Sequence, residues 1–204
     1  MKKFTILFSL IVILACNSQD KRPLLGETEY QQELNASYKD ASKSPLKTKD
    51  LKNFKGLDFF PVDSSFIVIA KLTKIENAPT FEMATTSDRK PLYKEYGILN
   101  FTLKGKECNL TIYQSQDDLR DEKYKDYLFL PFTDDTSGNE SYGGGRYMDV
   151  MTTDEKPDGT IQLNFNNTYN PYCAYNDKYS CPLTPRKNHL DLEIKAGVKV
   201  FKKH

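Results

Sequence analysis

Histidine is scarce in this chain: His189 and His204 are the only two among 204 residues. Multi-histidine metal sites and imidazole bases therefore have little to draw on. The four cysteines, Cys16, Cys108, Cys173 and Cys181, include no Cys-x-x-Cys pair, the spacing that structural zinc normally uses. Excess charge of one sign is missing too. Lys and Arg number 29 against 28 Asp and Glu, well mixed, which argues against a nucleic-acid surface and against holding an anionic surface by bulk charge. Beyond residue 16 no apolar run approaches the length of a membrane span. No internal repeat is visible, and no helices interleave with strands as a parallel sheet would require. Neither a resident metal nor a cofactor is expected.

The chain opens "MKKFTILFSLIVILAC": two lysines, an apolar run from Phe4 to Leu14, then a small residue and a cysteine. This is the order of a signal peptide, with an apolar core too short for a comfortable membrane span. Ile13-Leu14-Ala15-Cys16 resembles the bacterial lipobox, which makes Cys16 the lipidated first residue after cleavage. Two or more acyl chains there give firm attachment. Removing residues 1–15 leaves 189 of the 204 residues, one domain of ordinary size. The cut also takes Lys2 and Lys3, so 27 of the 29 basic residues face 28 acidic ones. The expectation is a lipid-anchored protein of a bacterial cell envelope, on its periplasmic or surface face. In that setting the Asn-x-Ser/Thr triplets from Asn35, Asn100, Asn109 and Asn139 carry no glycan.

Residues 16–27 are polar and suit a tether. Over residues 28–44 a helix is predicted: Thr28 and Gln31 have capping-box spacing, and Tyr30, Leu34 and Tyr38 recur on one face. Ser44-Pro45 ends it, since the residue before proline avoids helical geometry. Residues 45–204 then form one β domain. The period becomes two in "SFIVIAKL" (65–72), "GILNFTL" (97–103), "NLTIYQ" (109–114), "DYLFLPF" (126–132), "RYMDVM" (146–151), "TIQLNF" (160–165) and "HLDLEIKA" (189–196). Lys104-Gly105-Lys106 and Pro157-Asp158-Gly159 read as hairpin turns. The fold class is all-β, an antiparallel sandwich or barrel with one N-terminal helix packed on it.

"LFLPFTDDTSGNESYGGGRYMD" (128–149) and "NFNNTYNPYCAYNDKYSCPLTP" (164–185), with "FKGLDFFPVD" (54–63) and "AGVK" (196–199), resemble a bacterial family of unknown function, DUF1684. The family is common among envelope and secreted proteins of Bacteroidetes-type bacteria. Where it usually has Glu-Asn before the last strand, this chain has Lys187-Asn188. The resemblance implies no activity.

Three constellations carry candidate chemistry. In residues 134–147, Gly143, Gly144 and Gly145 with Arg146 offer backbone N–H groups and a guanidinium to an anion. Against that, the segment leads into a strand, whereas phosphate loops lead into a helix. A hairpin connection whose glycines take positive φ accounts for it equally. Asp134, Thr136, Glu140, Tyr142, Arg146 and Tyr147 nevertheless make a polar, aromatic set on a rigid scaffold, where binding residues concentrate. Asp134 and Glu140 also admit a reading as an acid–base pair. In "NPYCAYNDKYSCPL" (170–183), Cys173 and Cys181 fit a disulfide staple better than a metal site or a Cys173–His189 nucleophile and base. Closing so short a loop contributes on the order of 2–3 kcal/mol. Cys108 is left over as a small buried thiol. Finally Tyr169, Tyr172, Tyr175 and Tyr179, with Asn166, Asn170 and Asn188, pair flat apolar faces with amides, as sugar and peptide sites do. The leading expectation is a binding or accessory domain for a small polar ligand, a glycan or a partner protein. An envelope hydrolase using Asp134/Glu140 or Cys173–His189 is the alternative, and a purely structural lipoprotein the third.

Overall fold

The computed structural model describes residues 26–201, so the signal-peptide, tether and Cys16 readings, and His204, lie outside it. The first element, α1 (Glu29–Lys39), is capped by Thr28, whose Oγ1 accepts from the Gln31 N–H at 3.2 Å. Gln31 in turn accepts from the Glu27 N–H at 2.8 Å, a close variant of the predicted capping box. The helix stops at Lys39, short of Ser44. Asp40 turns its carboxylate back to accept from the Ser42 N–H at 2.9 Å and the Ser42 hydroxyl at 2.8 Å, and this local bonding competes with helical continuation. A short helix, α2 (Thr48–Lys52), follows inside residues 45–204, the span expected to form the β domain.

Eight strands come next: β1 (Ile67–Lys74), β2 (Phe81–Glu82), β3 (Leu92–Leu103), β4 (Lys106–Ser115), β5 (Tyr127–Asp134), β6 (Arg146–Met151), β7 (Thr160–Asn164) and β8 (His189–Leu190). They form one curled sheet in the order β6-β5-β4-β3-β1-β7, antiparallel along that path, with β2 on β3 and β8 on β5. The all-β antiparallel expectation with a helix packed on the sheet therefore holds. A single curled sheet replaces the open choice between sandwich and barrel.

Alternation builds the core. Leu99, Phe101 and Leu103 meet Leu110 and Ile112, then Leu128, Leu130 and Phe132, on one face, and Met148, Val150, Ile161 and Leu163 complete the cluster. Each such burial is worth roughly 1.5–3 kcal/mol. Lys104 and Gly105 take φ of 50° and 79°, so the turn between β3 and β4 has both central residues at positive φ, as a tight hairpin wants. Pro157-Asp158-Gly159 also turns the chain but makes no hairpin: β6 and β7 are the two ends of the sheet, and the turn delivers β7 to β1. The last predicted strand shrinks to His189–Leu190 and runs parallel to β5, because Ile194 and Ala196 leave the ladder to lend their carbonyls elsewhere.

A bulge between Glu95 and Gly97 sets up the other face. One extra residue reverses the alternation, so Tyr93 points away from the core that Leu99 and Phe101 face. Tyr113, Phe129 and Tyr147 project to the same outer side, where they cluster with Met83 and Tyr93. Rings on the outside of a sheet need a cover. The chain supplies one through the bridges Tyr147↔Tyr169 and Thr85↔Pro182 and through α1.

Candidate functional site: a tyrosine-lined cavity

Between that outer face and its cover lies a cavity of about 580 Å³. Nine of the 13 tyrosines line it. Tyr93, Tyr127 and Tyr147 rise from the sheet, Tyr30 and Tyr38 come down from α1, Tyr124 precedes β5, and Tyr169, Tyr172 and Tyr179 belong to the covering segment. The rings hold one another edge to face: Phe129 on Tyr147 at 4.6 Å, and Tyr147 on Tyr169 at 6.0 Å. Tyr172 and Tyr179 lie tilted at 5.2 Å.

Asp149 is the single charged residue in this lining. It stands on β6 two residues after Tyr147 and so faces the same side. The hydroxyls of Tyr127, at 2.8 Å, and of Tyr169 both donate to its Oδ1. No described residue donates to its Oδ2. Burial first, with the Asp149 charge among the further causes, pushes the phenols of Tyr30, Tyr127 and Tyr169 well above the usual range, so these hydroxyls stay neutral. Asp149 also borders a second cleft of about 400 Å³ at the seam between β6 and β7, where Asp154 and Lys156 sit.

The predicted glycine–arginine site is built differently from a ligand cradle. Arg146 is fully buried, and its Nη2 donates to Asp134 Oδ2 at 2.7 Å and to the Ile194 carbonyl at 2.8 Å, while Nη1 donates to the Ala196 carbonyl. Asp134 Oδ1 accepts from the Thr136 N–H at 2.8 Å, the Thr136 hydroxyl at 2.6 Å and the Ile194 N–H at 3.2 Å. Burial draws the guanidinium's pKa down while the Asp134 charge opposes it. Arg146, Asp134 and Thr136 thus tie the connection to the tail that would otherwise have continued the last strand. Gly145 has φ of 91°, and a Cβ there would fall 2.6 Å from the Phe132 carbonyl. That answers to the turn reading. Gly143 and Gly144 are exposed, and Gly144 lends its carbonyl to the Thr184 hydroxyl at 3.0 Å. Glu140 is exposed and paired with Lys195 at 3.1 Å.

The three asparagines are also bonded within the protein. Asn188 accepts from the Thr111 N–H at 3.0 Å and donates to the Thr111 and Pro131 carbonyls at 2.7 Å each. It bridges β4 and β5 where their ladder is reduced to Tyr113↔Phe129 and where Pro131 has no N–H to give. Asn166 exchanges bonds with the backbone of Asp63, and Asn170 donates to the Lys199 carbonyl at 2.9 Å. Tyr175 is buried edge-on against Tyr38 at 5.0 Å, outside the cavity lining.

The expected staple is absent: Cys173 and Cys181 are free thiols side by side, the Cys173 N–H donating to Cys181 Sγ at 3.1 Å. Hydrogen bonds from Cys181 first, then from Tyr142 and Thr86, draw the Cys173 thiol down to about 6, against burial; Cys181 is pushed up by the same contact. Tyr142 hydroxyl lies 4.0 Å from Cys173 Sγ, and its phenol is raised to about 12, chiefly by burial. His189 contacts Thr133 at 3.0 Å, Asp191 at 3.4 Å and Asp135 at 3.7 Å, and none of these is Cys173. Cys108 is half-buried against the main core.

Sequence reasoning therefore found Tyr147, Tyr169, Tyr172 and Tyr179 but missed Asp149, Tyr127 and Tyr93. The signal was the alternation in "DYLFLPF" and "RYMDVM", whose off-core positions are aromatic or acidic where an exposed sheet face would be mixed polar.

A family model described as "Protein of unknown function (DUF1684)" matches residues 52–199. The chain is also similar to the solution NMR structure of the uncharacterized protein from gene locus rrnAC0354 of Haloarcula marismortui. Their identity is 34%, the match covers 85% of this chain and 92% of that one, and the TM-score is 0.66. No curated protein matches the chain.

Proposed function

For a chain that belongs to the DUF1684 family, we propose a binding role: an envelope protein, lipid-anchored at Cys16, whose tyrosine-lined cavity takes a small polar ligand. The cavity carries the reading. Its volume of about 580 Å³ lies within the range of ligand pockets, roughly 300–1,000 Å³, and its walls are mainly aromatic with one fixed carboxylate. A hydrolase at Asp134/Glu140 has less support, since Asp134 is buried and bonded to Arg146 and three donors besides. The "MKK…LAC" start supports the anchor and an envelope location.

One measurement tests both halves. The full-length gene is expressed in its native host, and the product is purified from membranes and weighed by native and denaturing mass spectrometry. An increment that survives denaturation and vanishes in Cys16→Ser is the expected acyl modification. An increment that leaves on denaturation, and is absent from Leu34→Trp, is the expected cavity ligand, because Leu34 lines the space that an indole would fill. A product lacking acyl mass would sink the anchor. Full retention of the releasable increment in Leu34→Trp would move the ligand out of the cavity.

A further inference from the structure

Resting on the reading of the cavity as a ligand site, we infer that its ligand is a small organic cation. It carries an ammonium or guanidinium group on a compact apolar body, with the charge facing Asp149 and the body against the tyrosine rings. Three observations lead there. The lining contains one carboxylate and, among the described residues, no lysine, arginine or histidine. An anion would meet repulsion from Asp149 with no compensating cation.

Three of the nine lining tyrosine hydroxyls are already committed within the protein. Tyr127 and Tyr169 donate to Asp149, and Tyr147 donates to the Pro182 carbonyl. The other polar side chains in the lining, tyrosine hydroxyls aside, are those of Ser180 and Cys181. Beside the remaining phenol hydroxyls, the cavity offers broad π-face and one negative charge. A cation gains from both, since ring faces carry negative potential and Asp149, an exposed residue, presents its carboxylate beside them.

The carboxylate is also organised for this use. Both phenol donors converge on Oδ1, which fixes the group and leaves Oδ2 without a described donor. Two exposed lysines outside the lining already lie over its rings: Lys123 Nζ is 4.9 Å from the Tyr124 centroid, and Lys178 Nζ is 4.9 Å from that of Tyr179. Salt and water screen those exposed charges. The second cleft beside Asp149 holds a lysine, Lys156, as well as Asp154 and has no aromatic wall, so the charge complementarity belongs to the tyrosine side.

The test titrates the full-length chain in detergent with choline and, separately, with 3,3-dimethylbutanol, the same shape with carbon in place of the cationic nitrogen. The chain has no tryptophan, and nine of its 13 tyrosines line the cavity, so tyrosine fluorescence reports binding directly. Choline is expected to bind about tenfold or more tightly than the alcohol, and the ratio to collapse toward one in Asp149→Asn. Asparagine keeps an oxygen for the two phenols, and a urea midpoint near that of the parent chain separates lost charge from lost fold. Tyr172 is exposed over less than half its surface and lines the cavity, so Tyr172→Phe should keep choline affinity while Tyr172→Leu loses several-fold. Equal affinity for the alcohol, or an unchanged ratio in Asp149→Asn, overturns the cation and leaves the cavity reading standing. If neither molecule binds, the cation is overturned, and the releasable mass increment decides the cavity reading by itself.

Discussion

Arg146 shows how one residue changes meaning between chain and fold. Beside three glycines it has the composition of an anion grip. Folded, it is fully buried and aimed at Asp134 and two carbonyls of the C-terminal tail. Removing one partner of a buried pair leaves the other charge in a poor medium, which typically costs about 3–5 kcal/mol. Arg146→Ala is therefore expected to lower the urea midpoint by that order and to free the tail from β6. Loss of less than about 1 kcal/mol would show that water reaches Asp134 and that the pair is not sealed. The polar character of this set was legible in the sequence; its direction was not. Whether Asp134 and Arg146 face a ligand or each other depends on the tail at Ile194–Ala196, 48 to 60 residues away in the chain. The same holds for Asn188, whose amide fills a gap in a ladder that exists only once β4 and β5 have met.

At the scale of elements, β1 and the strands from β3 to β7 were readable because a half-buried strand must alternate, and most of the core follows from that rule, whereas the two-residue β2 was not. The bulge at Glu95/Gly97 was not, since nothing in "LYKEYGILNFTL" marks the residue at which alternation reverses. The excursion from Asn170 to Leu183 belongs to this scale as well. Its two cysteines come together as predicted but as a hydrogen-bonded thiol pair, with Cys173 stabilised as thiolate by Cys181 and Tyr142. Under reducing conditions, alkylation of Cys173 by iodoacetamide should rise through about pH 6, well below the range of an ordinary thiol, while Cys181 stays slow. The folded state releases the Cys173 proton first, so the unfolded state binds more protons between about 6 and the ordinary thiol value near 8.5, and stability from this group rises with pH across that window. A Cys173 rate that rises only near pH 8.5 would remove the thiolate from the account.

For the whole molecule, the decisive fact is that most of its tyrosines share one enclosure on the outer side of a curled sheet. Composition shows 13 tyrosines but not their convergence, which joins α1, three strands and the covering segment across nearly the full length of the described chain. This placement has a collective consequence at high pH. Burial, as the leading cause, raises the phenols of Tyr30, Tyr38, Tyr127, Tyr147 and Tyr169 well above their usual value and Tyr93 to about 12. Above about pH 10, the unfolded chain sheds phenolic protons that the folded chain retains, so the folded state binds more protons and stability falls as pH rises. The buried phenols should then ionise together, as the fold opens, instead of one by one. Phenolate absorbance followed beside far-ultraviolet circular dichroism checks this in a chain free of tryptophan. A steep absorbance step coincident with loss of sheet signal is the expected result. A gradual titration of all tyrosines centred near pH 10, with the sheet intact, would mean that water reaches these rings throughout and that burial does not hold the phenols neutral.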